Sequence, residues 1–276
     1  MDPEAVAARY CAEGYAVVRG FLDGEAVAAL AALAEAVEAE ALAHGRPFRH
    51  GNLYYDTRPG PPPALRMAQW PVWHHPGLEA FRTHPRYADL LAPLLGPDLK
   101  QIIHQIHWKP KGAGADFAWH QDSRSRRPRE AFRNLATSYV QTGLAIDPHD
   151  EASGCLRVIP RSHLLGELGM AQAGPVLGRA LDDSELVAAG LDPAAQVPLH
   201  LAPGDLALWS PFTVHASGAN RSGHARRLLI NGYVRAADCD RGEWAFRAGR
   251  PVPLPPSPSL VHWEGLLERP EPHYPA

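Results

Sequence analysis

Cysteine is scarce in this chain: three residues in 276, Cys11, Cys155 and Cys239, lie far apart and form no CxxC pair. That spacing argues against a disulfide framework and for a reducing, cytoplasmic setting. Charge of one sign is lacking too. A formal net charge of -3 gives no reason to expect nucleic acid or an anionic membrane as partner. No apolar run approaches the ~20 residues that span a bilayer. The N-terminus MDPEAVAARY has no basic stretch followed by an apolar one, so no signal peptide is read there. Internal repeats are absent. Glycine (24) and proline (28) are plentiful, which suits many short strands and turns better than a helical bundle.

The first part, residues 1–96, reads as mostly helical. Asp2-Pro3-Glu4 caps and starts a helix, Gly14 stops it, and Tyr15 to Phe21 reads as a short strand. Asp23 caps an alanine-rich helix ended by Gly45, Arg46 to Pro63 reads as a loop, and His84-Pro85 to Gly96 carries another helical stripe of leucines. From residue 97 to 238 the pattern turns to period two. QIIHQIHWKP, DFAWHQD, SYVQTGLAID, CLRVIP, DLALWSPFTVHAS and RRLLINGYVRA read as strands separated by turn residues. The expected fold is mainly β with flanking helices: a jelly-roll (double-stranded β-helix, cupin-like) core behind a helical N-terminal layer. Residues 239–276 are expected to form an irregular proline-rich tail, so that 1–276 make one domain.

His120-Gln121-Asp122 follows the strand-like DFAW, where residues two apart share a face. Taken alone the triplet is noise. Roughly 1.6 His-x-acid triplets are expected by chance at this composition, and three occur, the others being His149-x-Glu151 and His262-x-Glu264. Two later residues change the odds. His215 lies on a late strand, and with His120 and Asp122 completes the residue types of a 2-His-1-carboxylate triad, which leaves Fe(II) positions open for a chelating cosubstrate and dioxygen. Arg226 follows on the next strand, where an arginine can clamp a carboxylate by two hydrogen bonds.

These pieces stand in a specific order. Trp119-His120-Gln121-Asp122 is followed by Gly154 to His163 (GCLRVIPRSH), Pro203-Gly204-Asp205, and His215 to Ser222 (HASGANRS) with Arg226. Over roughly Tyr15 to Val234 the chain resembles the phytanoyl-CoA dioxygenase family, Fe(II)/2-oxoglutarate-dependent oxygenases with a double-stranded β-helix core. The resemblance implies His120, Asp122 and His215 as iron ligands, with Arg226 on the distal carboxylate of 2-oxoglutarate and Ser217 assisting. It implies Fe(II), 2-oxoglutarate as cosubstrate, O2, and release of succinate and CO2. Strand alternation admits only one of Arg226 and Arg227 to the barrel interior. Two departures touch loops: Ser153 stands where the family has asparagine, and Arg161 where its P-G-S-H has glycine. Asp122 keeps the carboxylate that halogenating relatives lack, which favours hydroxylation or a related oxidation over chlorination.

Gln105 and Lys109 share a strand face with His107 and are candidates for the C1 end of 2-oxoglutarate; a structural hydrogen-bonding role is the alternative. Arg124, Arg126, Arg127 and Arg129 directly follow the iron pair and are candidates for an anionic substrate group, against the alternative of a solvated charge run. Asn231 and Tyr233, and on the earlier segment Asn52, Tyr54, Tyr55 and Arg66, are candidate lining residues. His149 and Glu151 read as a solvated turn, His163 as structural and Cys155 as core; His50, His74 and His75 have no partner at ligand spacing in the sequence. The partner expected is a small molecule, and nothing in the sequence is specific to CoA or fixes an oligomeric state. Two other readings keep the fold: a Zn- or Mn-dependent jelly-roll isomerase or hydrolase, and a non-catalytic small-molecule-binding jelly roll.

Overall fold

The computed structural model describes residues 2–112, 117–126, 128–168 and 183–256. Helix α1 (Pro3–Glu13) begins where the Asp2 carboxylate accepts the amides of Glu4 and Ala5. It ends at Gly14, whose φ of 80° lets its amide reach back to the Tyr10 carbonyl. Strand β1 (Tyr15–Val18) follows, then α2 (Gly24–Ala43), capped by Asp23 as the sequence suggests.

The segment expected to be a loop is a strand meander. Strands β2 (Phe48–His50), β3 (Leu53–Arg58) and β4 (Ala64–Gln69) pair in antiparallel sequence, and α2 packs on β3 and β4. Within β3, Leu53, Tyr55 and Thr57 are buried while Tyr54, Asp56 and Arg58 are not, a period-two pattern masked by the prolines that form only the β3–β4 turn. Helices α3 (Glu79–Arg82) and α4 (Pro85–Leu95) then lead to the long β5 (Leu99–Lys109).

The remaining strands are β6 (Phe117–His120), β7 (Tyr139–Ala145), β8 (Leu156–Val158), β9 (Val197–Pro198), β10 (Leu206–Trp209), β11 (His215–Ser217), β12 (Arg226–Arg235), β13 (Glu243–Arg247) and β14 (Arg250–Pro251). The larger sheet runs β1-β10-β7-β12-β5-β4-β3-β2, and β13 joins the start of β5; the smaller runs β6-β11-β8-β9. These two antiparallel sheets form the jelly-roll core, behind the N-terminal helices. Of the tail expected at 239–276, residues 257–276 lie outside the described residues, and 239–256 include the strands β13 and β14. Trp244 and Phe246 register against β5, and the buried Arg82 guanidinium donates to the Trp244 and Val252 carbonyls. Among the described residues no helix is long and apolar enough to cross a membrane.

Candidate active site

Antiparallel pairing of β6 with β11 sets His120 directly opposite His215. Their rings lie 4.1 Å apart, and Asp122 opens the 3-10 turn that follows β6. Nε2 of His120 is 3.8 Å from Asp122 Oδ1, and Nε2 of His215 is 3.8 Å from Asp122 Oδ2. One ligand atom from each of the three residues falls within 4.8 Å of the other two. The carbonyls of Ala118 and Thr213 accept the Nδ1–H of His120 and His215, at 2.7 and 2.9 Å. That fixes the tautomer and leaves each Nε2 lone pair aimed at the common point. Trp209 Nε1 donates to Asp122 Oδ2 at 3.0 Å. Burial raises the pKa of the Asp122 carboxyl, but His215, Arg126, His120 and the Trp209 hydrogen bond outweigh it, and the net shift is downward. Burial, then His215, pushes the His120 imidazole down to about 4, so it is neutral and able to ligate.

The three groups open into a cavity of about 550 Å³, mouth included, walled by both sheets. Arg226, at the start of β12, reaches it from the opposite sheet, and its Nε has no hydrogen-bond partner among the described residues. Its one polar contact among the described residues is Nη1 on Nδ1 of His149, at 3.4 Å. Burial pushes the guanidinium pKa down to about 10. Arg227 takes the other face and is closed by a bidentate pair with Asp147. Lys109, opposite Arg226 across β5, donates to Ser217 Oγ at 2.8 Å and to the Gly218 carbonyl. Ser217 and Gln105 line the cavity; Gln105 Oε1 accepts from His107 Nε2.

The arginine run resolves into separate fates. Arg126 is buried over the Tyr139 ring and donates to Gln141 Oε1 at 3.2 Å. Arg129 is exposed and paired with Glu167, Arg124 is half-buried, and Arg127 lies outside the described residues. His262 and Glu264 lie outside them as well.

Asn231 and Tyr233 do not line the cavity. Along β12 the residues Arg226, Leu228 and Ile230 face inward, so the odd positions that follow face the helical layer. There Asn231 accepts from Gln101 and His104, and Tyr233 donates to the Arg82 carbonyl. Asn52, Tyr54, Tyr55 and Arg66 are also absent from the cavity wall. His149 is not solvated: a backbone bridge to Leu201 turns its ring inward, where it meets Arg226 and the Arg227 carbonyl. His74 and His75 each sit 2.7 Å from one oxygen of Glu40 on α2, away from the cavity. Arg161 adopts the left-handed φ of 65° that a glycine would take without strain, so the turn survives the replacement. Trp209, Gln141 and His149 are the site residues that motif spacing missed; each is fixed by cross-strand register, which a single sequence does not display.

The profile of the phytanoyl-CoA dioxygenase (PhyH) family matches residues 10–228. The chain is 28% identical over 169 residues to a 2-aminoethylphosphonate dioxygenase of an uncultured bacterium (HF130_AEPn_1), covering 61% of this chain and 58% of that protein. It is 25% identical over 237 residues to a probable alpha-ketoglutarate-dependent hypophosphite dioxygenase of Stutzerimonas stutzeri, covering 82% and 77%. The chain thus spans little more than half the length of the first of these. Among solved structures it superposes with a TM-score of 0.61 and 26% identity on the epimerase SnoN in complex with Fe3+, alpha ketoglutarate and nogalamycin RO, over 89% of this chain and 86% of that one. A family profile matched over most of the chain, around a His-x-Asp…His group, makes this protein a member of the phytanoyl-CoA dioxygenase (PhyH) family of 2-oxoglutarate-dependent non-haem iron dioxygenases.

Proposed function

We propose that the chain is an Fe(II)- and 2-oxoglutarate-dependent dioxygenase that hydroxylates an unactivated C–H bond of a small, anionic metabolite. The observation that carries this reading is the pair of Nε2 lone pairs and one ionised carboxylate converging from three sides, with both Nδ1 atoms already committed to carbonyls. Such a donor set fits Fe(II) and leaves its remaining positions to small ligands. His120, Asp122 and His215 would hold the metal. Arg226, buried and with its Nε unpartnered among the described residues, fits a carboxylate, and Ser217, lining the same cavity, offers a hydroxyl. These two would hold the far carboxylate of 2-oxoglutarate. Lys109 braces Ser217, and Gln105, which lines the cavity, would meet the cosubstrate's C1 end.

Together, iron and 2-oxoglutarate supply oxidation of a substrate C–H bond by O2, coupled to decarboxylation of 2-oxoglutarate to succinate and CO2. The chain's own work is geometric and electrostatic. Trp209 holds one carboxylate oxygen of Asp122, and the backbone carbonyls hold both imidazoles, so the ligands are fixed in advance. Phe117, Leu156, Leu228 and Ile230 keep the space around them apolar. An anionic substrate is supported by relatives named for 2-aminoethylphosphonate, hypophosphite and methylphosphonate, all phosphorus oxyacids. A Zn- or Mn-dependent isomerase would have no use for a buried arginine in the cavity wall.

The test is anaerobic titration of the purified protein with Fe(II) and 2-oxoglutarate. A weak visible charge-transfer band is expected only with both present, and it disappears in His120→Ala. Absence of the band in iron-loaded wild-type protein overturns the reading.

A further inference from the structure

We infer that Gln141 is the substrate-recognising residue of the cavity and that the group it recognises is an oxyanion, a carboxylate or a phosphonate. The inference rests on the iron and 2-oxoglutarate reading above and deepens it. Gln141 lines the cavity from β7. Its Oε1 accepts two hydrogen bonds, from the Tyr139 hydroxyl at 2.5 Å and from Arg126 Nη2 at 3.2 Å. Burial holds the Tyr139 hydroxyl far above its ordinary pKa, so it is a donor at any working pH. The Arg126 guanidinium settles the amide orientation, because it can only donate and a flipped amide would set N–H against N–H; the Tyr139 hydroxyl then donates to the same oxygen. The NH2 group must therefore point the other way, and it has no hydrogen-bond partner among the described residues.

Space confirms the lock. A Cβ on Gly232, opposite Gln141 in the ladder, would lie 2.0 Å from the Tyr139 hydroxyl and 2.8 Å from Gln141 Oε1. The hydroxyl and the amide oxygen thus fill the room that a side chain at position 232 would need.

Register places this donor away from the cosubstrate. Arg226 stands at one end of the inward face of β12, and Gly232 six residues further along, roughly 20 Å away at a strand rise of about 3.3 Å per residue. A 2-oxoglutarate molecule anchored on Arg226 and chelating at the metal does not extend that far. On its other side Gln141 pairs with Trp209, the residue that holds Asp122, so the donor flanks the metal ligands. The guanidinium on Oε1 draws electron density from the amide and makes its N–H groups stronger donors. A cation behind a donor, in a mostly apolar cavity, selects an acceptor with negative charge. Arg126 does not itself line the cavity and acts through Gln141 as a positioning residue.

The experiment uses the anaerobic Fe(II)·2-oxoglutarate holoenzyme with methylphosphonate and propionate as oxyanion probes and dimethyl methylphosphonate as the neutral control. Binding is read as a change in the charge-transfer band. Wild type is expected to respond to at least one oxyanion and not to the ester, and the oxyanion that binds identifies the class. Gln141→Met, or Gln141→Glu if methionine perturbs the fold, should weaken that probe at least tenfold while 2-oxoglutarate affinity is unchanged. Arg126→Met should weaken it several-fold, and the double variant should be no worse than Gln141→Met, since Arg126 acts through the amide. The inference is overturned if wild type responds to no oxyanion, if the ester binds equally well, or if the Gln141 variants bind as wild type does. Failure of the iron reading shows separately, as absence of the band before any probe is added.

Discussion

Replacing Arg226 with methionine should make the protein more stable and less able to bind its cosubstrate. Arg226 is 2% exposed, and its one polar contact among the described residues is a neutral histidine at 3.4 Å. Burial depresses its pKa from 12.5 to about 10. At about 1.4 kcal/mol per tenfold change in proton affinity, the folded state carries a penalty of about 3 kcal/mol for this charge. The sign follows from linkage: a cation whose folded pKa lies below its unfolded one costs stability at every pH below the folded value, hence fully at pH 7. Methionine keeps most of the stem's packing and gives up one hydrogen bond worth about 1 kcal/mol, leaving a net gain of about 2 kcal/mol. For a chain of this size that raises the melting temperature by about 5 °C. Saturating 2-oxoglutarate should reverse the order, because ligand at a thousand times Kd adds about 4 kcal/mol to wild type and nothing to a variant that cannot bind it. Scanning calorimetry of the metal-loaded proteins with and without 2-oxoglutarate reads both effects. If the variant melts below wild type without 2-oxoglutarate, or gains as much from it, the account of Arg226 is wrong.

His149→Phe removes the acceptor that steadies Arg226, and about 1 kcal/mol of lost positioning should raise the Kd for 2-oxoglutarate roughly five- to tenfold in the titration; an unchanged Kd would leave His149 with a packing role only. Gly232→Ala forces a Cβ to within 2.0 Å of the Tyr139 hydroxyl. Overpacking of that kind costs about 2 kcal/mol, so the melting temperature should fall by about 5 °C and oxyanion probes should bind more weakly; a silent substitution would contradict the tight cradle. Burial pushes His104 down to about 4, below an ordinary value of 6.5. The unfolded chain therefore takes up its proton first as pH falls, and His104 should cost about 2 kcal/mol of stability at pH 5 relative to pH 7, and about 3 kcal/mol once the pH is below 4. Urea midpoints at the two pH values should differ less in His104→Gln; equal differences would place the acid sensitivity elsewhere.

The jelly roll was readable because its strands alternate cleanly and turn residues punctuate them, and the family motifs fall at the ends of those strands. What single-residue patterns could not supply was parity relative to a partner strand. Arg226 and Tyr233 are both polar positions on β12, yet only the first faces the cavity. The difference is one of odd and even along β12, which keeps step with β7 through Gly232 and Tyr233 while the irregularity there falls on β5. His149 misled for a related reason. DPHDEAS has the composition of a surface turn, and Asp150 and Ser153 do close such a turn, but the ladder contact with Leu201 carries the imidazole inward. The meander at 48–69 was hidden by prolines at its tip, which dominate a local count while contributing nothing to the ladder.

Two adjacent arginines show how the fold separates structure from recognition. Arg227 receives a carboxylate from the chain: Asp147 takes its Nε and Nη2 at 2.9 and 2.8 Å and the backbone amide as well. Arg226, one residue earlier and on the other face, receives an imidazole. Burial, reinforced by Arg226 itself, holds His149 well below its ordinary pKa, so the ring is neutral and accepts through Nδ1 while Nε2–H is spent on the Arg227 carbonyl. A carboxylate in the place of His149 would stabilise the buried cation and, by the same bond, compete with any anion arriving from the cavity. A neutral acceptor orients the guanidinium without neutralising it. On the proposed role of Arg226, its burial penalty would be the counterpart of affinity for a dianion: the charge is held in the wall at a cost to the folded chain, and a bound carboxylate would offset that cost.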